Sequence, residues 1–206
     1  MRPGAAAAAQ NVVVAETVTW ICWGIVIATW IVGALAGMRG SHGRHQPLGD
    51  GTGWRLVSVI VLIAVIRLAG HDLRRVTDHS PWIELPGLVI LVASTIFATW
   101  ARIRLGRMWS AMPNTLQAHH ELRTDGPYAV TRHPIYTGLL GMILGTVLLN
   151  GLGVTLALPV VGAAIVATRI PIEERLMSSA FPDEYARYRR RVPRLLPGRQ
   201  LLRRPH

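Results

Sequence analysis

Asp125-Gly126-Pro127-Tyr128-Ala129-Val130-Thr131-Arg132-His133-Pro134-Ile135-Tyr136-Thr137-Gly138 stands at the boundary between two kinds of sequence. Upstream lies a polar, Arg-rich segment. Downstream, 134–168 runs for 35 residues without a charge, and charges return at Arg169, Glu173 and Glu174. As one helix those residues would measure roughly 52 Å at ~1.5 Å per residue, against a hydrocarbon core of about 30 Å. In the middle, Asn150-Gly151-Leu152-Gly153 is a turn signal. The stretch therefore predicts a helical hairpin, up from Ile135 and back by Thr168, that crosses a membrane or dips into it. Both of its ends lie on one face. That folds Arg132, His133 and Tyr136 back beside Arg169, Glu173 and Glu174, and polar groups gathered at one membrane surface form a candidate site.

Composition agrees with a membrane setting. Half of the 206 residues are hydrophobic, 16% are charged, and the mean hydropathy is +0.33. The net charge is +11, and all 22 basic residues are arginine. Such a balance suggests nucleic acid at first. The arginines, however, cluster just outside apolar runs, as the positive-inside rule requires, so the expected partners are anionic membrane lipids and not nucleic acid. A lone cysteine, Cys22, excludes an internal disulfide and a cysteine metal cluster.

Outward from the hairpin, three further spans are expected, making an all-α polytopic membrane bundle of about five transmembrane helices in a single domain, 1–206. Residues 1–15 read as a frayed start. Thr17 to Met38 is a charge-free run of 22 residues with Trp20, Trp23 and Trp30, too long and too acidic in front (Glu16) for a signal peptide. Leu56 to Ile66 is a short second span whose flanking Arg55 and Arg67 must snorkel. Leu85 to Ala101 is the third, with Trp82 and Trp100 as interfacial anchors and Pro86 in its first turn. The block 102–197 follows, containing the hairpin 135–168. After it, Ile172, Leu176, Met177 and Ala180 share a face, and Tyr185, Tyr188 and Val192 continue a second amphipathic helix beyond Phe181-Pro182. The tail, 198–206, is expected to be disordered. Five spans place 18 arginines on the face that carries the site and four on the other. The site is then cytoplasmic and the N-terminus outside.

Each piece has a plain reading of its own. Arg132-His133 suits the interface ahead of a span that starts at Pro134, and Glu173-Glu174 suits the first turn of a helix after Pro171. Tyr185 and Tyr188 suit packing. No metal is expected, because His119-His120 and His42/His45 have no carboxylate or cysteine partner at ligand spacing. Gly51-Thr52-Gly53 follows no strand and is not a dinucleotide fingerprint.

Taken together the pieces resemble a family. His120-Glu121-Leu122-Arg123-Thr124-Asp125-Gly126-Pro127-Tyr128 is similar to the His-x-Leu-Val-Thr-x-Gly-Pro-Tyr segment of isoprenylcysteine carboxyl methyltransferases and phospholipid methyltransferases. Arg123 replaces their apolar residue. Arg132-His133-Pro134-Ile135-Tyr136-Thr137-Gly138 matches their Arg-His-Pro-x-Tyr-x-Gly. Arg169-Ile170-Pro171-Ile172-Glu173-Glu174 matches Arg-Ile-x-x-Glu-Glu, Phe181 to Tyr188 matches a Phe-x-x-x-Tyr-x-x-Tyr trailer, and Leu105 to Ser110 resembles the Leu-Gly-Arg-x-Trp-Ser opening. The resemblance covers 105–197, and 1–100 shows only generic spans.

The resemblance implies S-adenosylmethionine as methyl donor at the cytoplasmic helix ends, with a lipophilic acceptor entering from the bilayer, and the membrane expected is a bacterial plasma membrane. It implies a donor site made of His120, Leu122, Gly126, Pro127, Tyr128, Arg132, His133, Tyr136, Gly138, Glu173 and Glu174, and catalytic parts for Arg169, Glu173 and His133. Glu173 or Glu174 suits the donor's ammonium or ribose hydroxyls, and Arg132 or His133 its carboxylate. Tyr128 and Tyr136 offer faces to a sulfonium or an adenine, and the Gly126-Pro127 turn allows close backbone approach. A carboxylate acceptor needs no base and is oriented by an arginine such as Arg169. An amine acceptor needs Glu173 or His133 as base. Two other classes stay open at this point: a sterol-reductase-type membrane oxidoreductase using a nicotinamide cofactor, and a non-catalytic protein on the same scaffold.

Overall fold

The computed structural model describes residues 3–38, 81–106, 122–150 and 154–195. Among them every regular element is helical: α1 (Pro3–Met38), α2 (Pro81–Leu105), the short α3 (Pro127–Val130), α4 (Pro134–Asn150), α5 (Ala157–Ala180, entered through a 3-10 turn at Val154–Leu156) and α6 (Pro182–Arg191). The expected second span, Leu56 to Ile66, lies outside the described residues, as does the tail 198–206.

Two helices are long and apolar enough to cross a membrane, Val12–Gly33 in α1 and Trp82–Leu105 in α2. Their outward faces carry Trp20, Ile21, Ile25, Ile31 and Val32, and Trp82, Val89, Ile96 and Ile103, all exposed. Only 22% of each span is buried. Water would penalise an apolar surface of that extent, whereas lipid tails do not. Two boundaries differ from expectation. α1 begins at Pro3, not near Thr17, because Ala5 to Ala9 is a run of the strongest helix former and carries the helix through the expected frayed start. α2 begins at Pro81, so Pro86 falls inside the helix and not in its first turn.

The core is a close antiparallel pair, α2 against α4. Its contact face is built from small residues: a Cβ added at Gly145 would lie 2.5 Å from the Leu91 amide nitrogen, one at Gly138 2.7 Å from the Ala98 Cβ, and one at Gly87 2.5 Å from the Leu149 nitrogen. Gly141 meets Ser94 in the same row. Without a hydrophobic force between helices in lipid, close backbone approach supplies the dispersion that holds them. α1 lies across this pair through Cys22, Trp23 and Val26, which join Leu91, Met142 and Val147 in one cluster. Polar ties fix its register: Trp23 Nε1 donates to Thr146 Oγ1 at 3.1 Å, and Asn150 Nδ2 to Thr19 Oγ1 at 3.0 Å.

The hairpin doubles back. Gly162 on α5 faces Leu140 and Ile143 on α4, and farther along His133 and Tyr136 meet Glu173 and Glu174. At 17 residues α4 is about 25 Å long, and α5 has twelve uncharged residues before Arg169. α5 does not stop where charge returns. It continues unbroken through Pro171 to Ala180, so the separate amphipathic helix expected after the hairpin is the end of the same rod.

Candidate active site

The site is assembled where α4 begins, α5 leaves the apolar zone and α6 folds underneath. Gly126 enters it with φ of 58°, a left-handed turn that glycine adopts without steric cost. The amides of Tyr128 and Ala129 close on Asp125 O and Gly126 O at 3.1 and 3.0 Å. Pro127 then opens α3 with its φ already helical, and Tyr128 is buried. Thr131 breaks that turn in extended backbone, and Pro134 starts α4. The result aims Arg132 and His133 at the middle of α5.

Glu174 is the hub. Buried on α5, it is ion-paired with Arg132, whose Nη1 lies 2.6 Å from Oε1, and it accepts Arg194 Nη2 at 2.7 Å on Oε2 and Arg194 Nε at 3.3 Å on Oε1, with His133 Nε2 3.4 Å from Oε1. Burial by itself would raise its pKa. The Arg194 hydrogen bond, the charges of Arg132 and Arg194 and the His133 contact outweigh burial and hold the carboxyl below its ordinary range. Its neighbour differs. The Glu173 side chain is 40% exposed, accepts the Tyr136 hydroxyl at 2.5 Å and lies 3.6 Å from His133 Nδ1. His133, 9% exposed, therefore bridges the two carboxylates. Glu173 and Glu174 stand mid-helix, which removes the reading of them as ordinary acids of a helix first turn.

α6 forms the floor. Tyr185, Tyr188 and Val192 are buried with Leu122, Met177 and Phe181 around them, and the Tyr188 hydroxyl donates to Tyr128 O at 2.6 Å. Burial first, then the neighbouring phenols of Tyr185 and Tyr128, pushes the Tyr188 pKa up, so it remains a donor through neutral pH. Tyr185 sits against Glu174 and Arg132.

The geometry sorts the expected residues. It brings together Arg132, His133, Tyr136, Glu173 and Glu174, with Tyr128 close enough to feel the Glu173 charge, while Gly126 and Pro127 form the turn before Tyr128 and Gly126 faces Trp100 and Arg104. Leu122 is held by the α6 cluster, and Gly138 is accounted for by its contact with Ala98. Arg169 lies one turn back along α5 from Glu173, half-buried and with no ion-pair partner among the described residues. His120 lies outside the described residues. Two arginines were not expected. Arg102 belongs to the end of α2 and not to a polar loop: it is 2% exposed, its guanidinium lies 5.9 Å over the Trp30 ring and donates to Gly106 O at 3.1 Å, and its charge is felt by Tyr128. Arg194 comes from a segment after α6. Among 22 arginines no spacing distinguishes these two. The one available clue is that Arg102 follows an apolar run with no break between them.

A phospholipid methyltransferase family model matches residues 82–184, half of the chain. The cobalt-zinc-cadmium resistance protein CzcN of Cupriavidus metallidurans is 33% identical over 151 residues, 73% of this chain and 64% of that protein. Protein-S-isoprenylcysteine O-methyltransferase B of Arabidopsis thaliana is 35% identical over 119 residues, 56% of this chain and 60% of the plant protein. The protein-S-isoprenylcysteine O-methyltransferase of Schizosaccharomyces pombe is 43% identical over 79 residues, 38% of this chain and 34% of its own. The chain thus spans less than two thirds of the length of each of these relatives. The matched block includes both halves of the site, from the end of α2 through Glu174, and the chain is a membrane protein of the phospholipid methyltransferase family.

Proposed function

We propose that the protein is an S-adenosylmethionine-dependent methyltransferase that acts on a lipophilic acceptor at the cytoplasmic face of the membrane, with five spans and an external N-terminus. The observation that carries this reading is the meeting of Arg132, His133 and Tyr136 with Glu173 and Glu174 at the mouth of the hairpin. The residues present fit the donor. Glu173 is a carboxylate with an accessible side, anchored by Tyr136, and suits an ammonium or a pair of ribose hydroxyls. Arg132 brings positive charge and His133 a ring nitrogen for the donor's carboxylate, Tyr128 and Tyr136 bring aromatic faces, and the Gly126 turn presents bare backbone.

The donor supplies an already activated methyl group, so what falls to the protein is alignment and the exclusion of water. The apolar helices α2 and α4 wall the site on the membrane side, and the outward apolar faces leave a lipophilic acceptor free to approach from the bilayer. With a carboxylate acceptor, Arg169 orients the oxygen. With an amine, Glu173 or His133 takes the proton. Relatives named as isoprenylcysteine O-methyltransferases support the first, and the phospholipid methyltransferase match supports the second. Incubating the purified protein with methyl-labelled donor and native membrane lipids tests the reading. Label is expected in a lipid-soluble product, and folded protein that transfers none of it would overturn the proposal.

A further inference from the structure

The segment that follows α6 is a strap across the front of the site. Its main chain docks on the α3–α4 connection: Arg132 N donates to Pro193 O at 2.9 Å, His133 N and Thr131 Oγ1 to Arg194 O at 3.2 and 2.8 Å, and Thr137 Oγ1 to Leu195 O at 2.6 Å. Every one of these bonds uses a backbone carbonyl of the strap. The Arg194 side chain does something separate, since its fork grips both oxygens of Glu174. With Arg132 already on Oε1, Glu174 has its charge matched and its oxygens occupied. Arg132 and Arg194 together match the two carboxylates Glu173 and Glu174 in charge.

We infer that Arg194 is a positioning residue: it satisfies Glu174, so that Glu173 is the carboxylate left to hold the ammonium or hydroxyls of the methyl donor. The inference rests on the donor reading above. Without Arg194, one arginine faces two carboxylates, and the half-satisfied Glu174 draws Arg132 and His133 to itself and away from the donor. The two adjacent glutamates then cease to have distinct tasks. Side-chain loss at 194 leaves the strap carbonyls in place, so the charge and the strap can be separated by experiment.

The experiment measures the dissociation constant of S-adenosylmethionine for the full-length protein and for Arg194→Ala, Arg194→Lys, Glu174→Gln and the Arg194→Ala/Glu174→Gln double variant. Arg194→Ala is expected to weaken binding at least tenfold, and Arg194→Lys by less, because a point charge replaces a fork. The double variant is expected to return to within about threefold of the parent, since removing the stranded carboxylate removes the need for its partner. Arg194→Ala binding as tightly as the parent overturns the inference, and so does a double variant no better than Arg194→Ala, which would assign the effect to the strap. A parent protein that binds no donor removes the donor reading itself.

Discussion

At the scale of single residues, one buried carboxylate and one buried phenol hold the site in shape. The Tyr188 hydroxyl is bonded to Tyr128 O, and Tyr188→Phe leaves that carbonyl without its donor in a buried place. The expected loss is about 1–3 kcal/mol of stability, read as a lowered melting temperature in detergent. Glu174 titrates below its ordinary value because two arginines offset its burial. Its stabilising contribution is therefore complete above the ordinary carboxylate pKa of 4.5 and disappears as the pH falls below that through the folded-state value. Thermal melts from pH 6 downward should show that acid loss in the parent and a shallower one in Glu174→Gln. Much of this cluster was legible in the order of residues, since Arg132, His133, Tyr136, Glu173 and Glu174 follow from the hairpin alone. Which glutamate is committed and which is accessible was not. That depends on Arg194, a tertiary partner twenty residues further along, hidden among equivalent arginines.

At the scale of elements, α2 and α4 are held by glycines, and their spacing is a packing face as much as a motif. Gly145→Ala places a methyl 2.5 Å from backbone of α2, which cannot retreat without parting the helices. A loss of about 2–3 kcal/mol is expected. Gly24→Ala, on α1 with nothing within 4 Å, should be neutral or stabilising by up to ~1 kcal/mol. Paired melting curves of the two variants check the difference. Charge-free length predicted the hairpin and the two long helices, because length against bilayer thickness is a strong constraint. It did not predict helix ends. Arg102 and Arg169 continue α2 and α5 instead of stopping them, because an arginine that finds an aromatic face or an exit to water is compatible with a helix interior. The row from Gly138 to Gly145 was read at Gly138 as part of a binding motif, while its partners on α2 became visible only in the packed pair.

At the scale of the molecule, the proposed five-span topology and its orientation are testable through the arginine asymmetry. The proposed topology puts 18 arginines on the cytoplasmic side and four outside, so an impermeant thiol reagent applied to intact cells should label Gln10→Cys and spare Arg187→Cys. The reverse pattern would turn the molecule over. As proposed, the protein is an apolar scaffold that gathers two polar segments, 40 positions apart in sequence, into a receptor for a charged methyl donor. The most direct measurement is equilibrium binding of radiolabelled S-adenosylmethionine to the full-length parent and to Glu173→Gln. Saturable one-to-one binding to the parent, displaced by S-adenosylhomocysteine and weakened at least tenfold in a still-folded Glu173→Gln, is the predicted result. A folded parent with no saturable binding, or a Glu173→Gln variant that binds as the parent does, would contradict it.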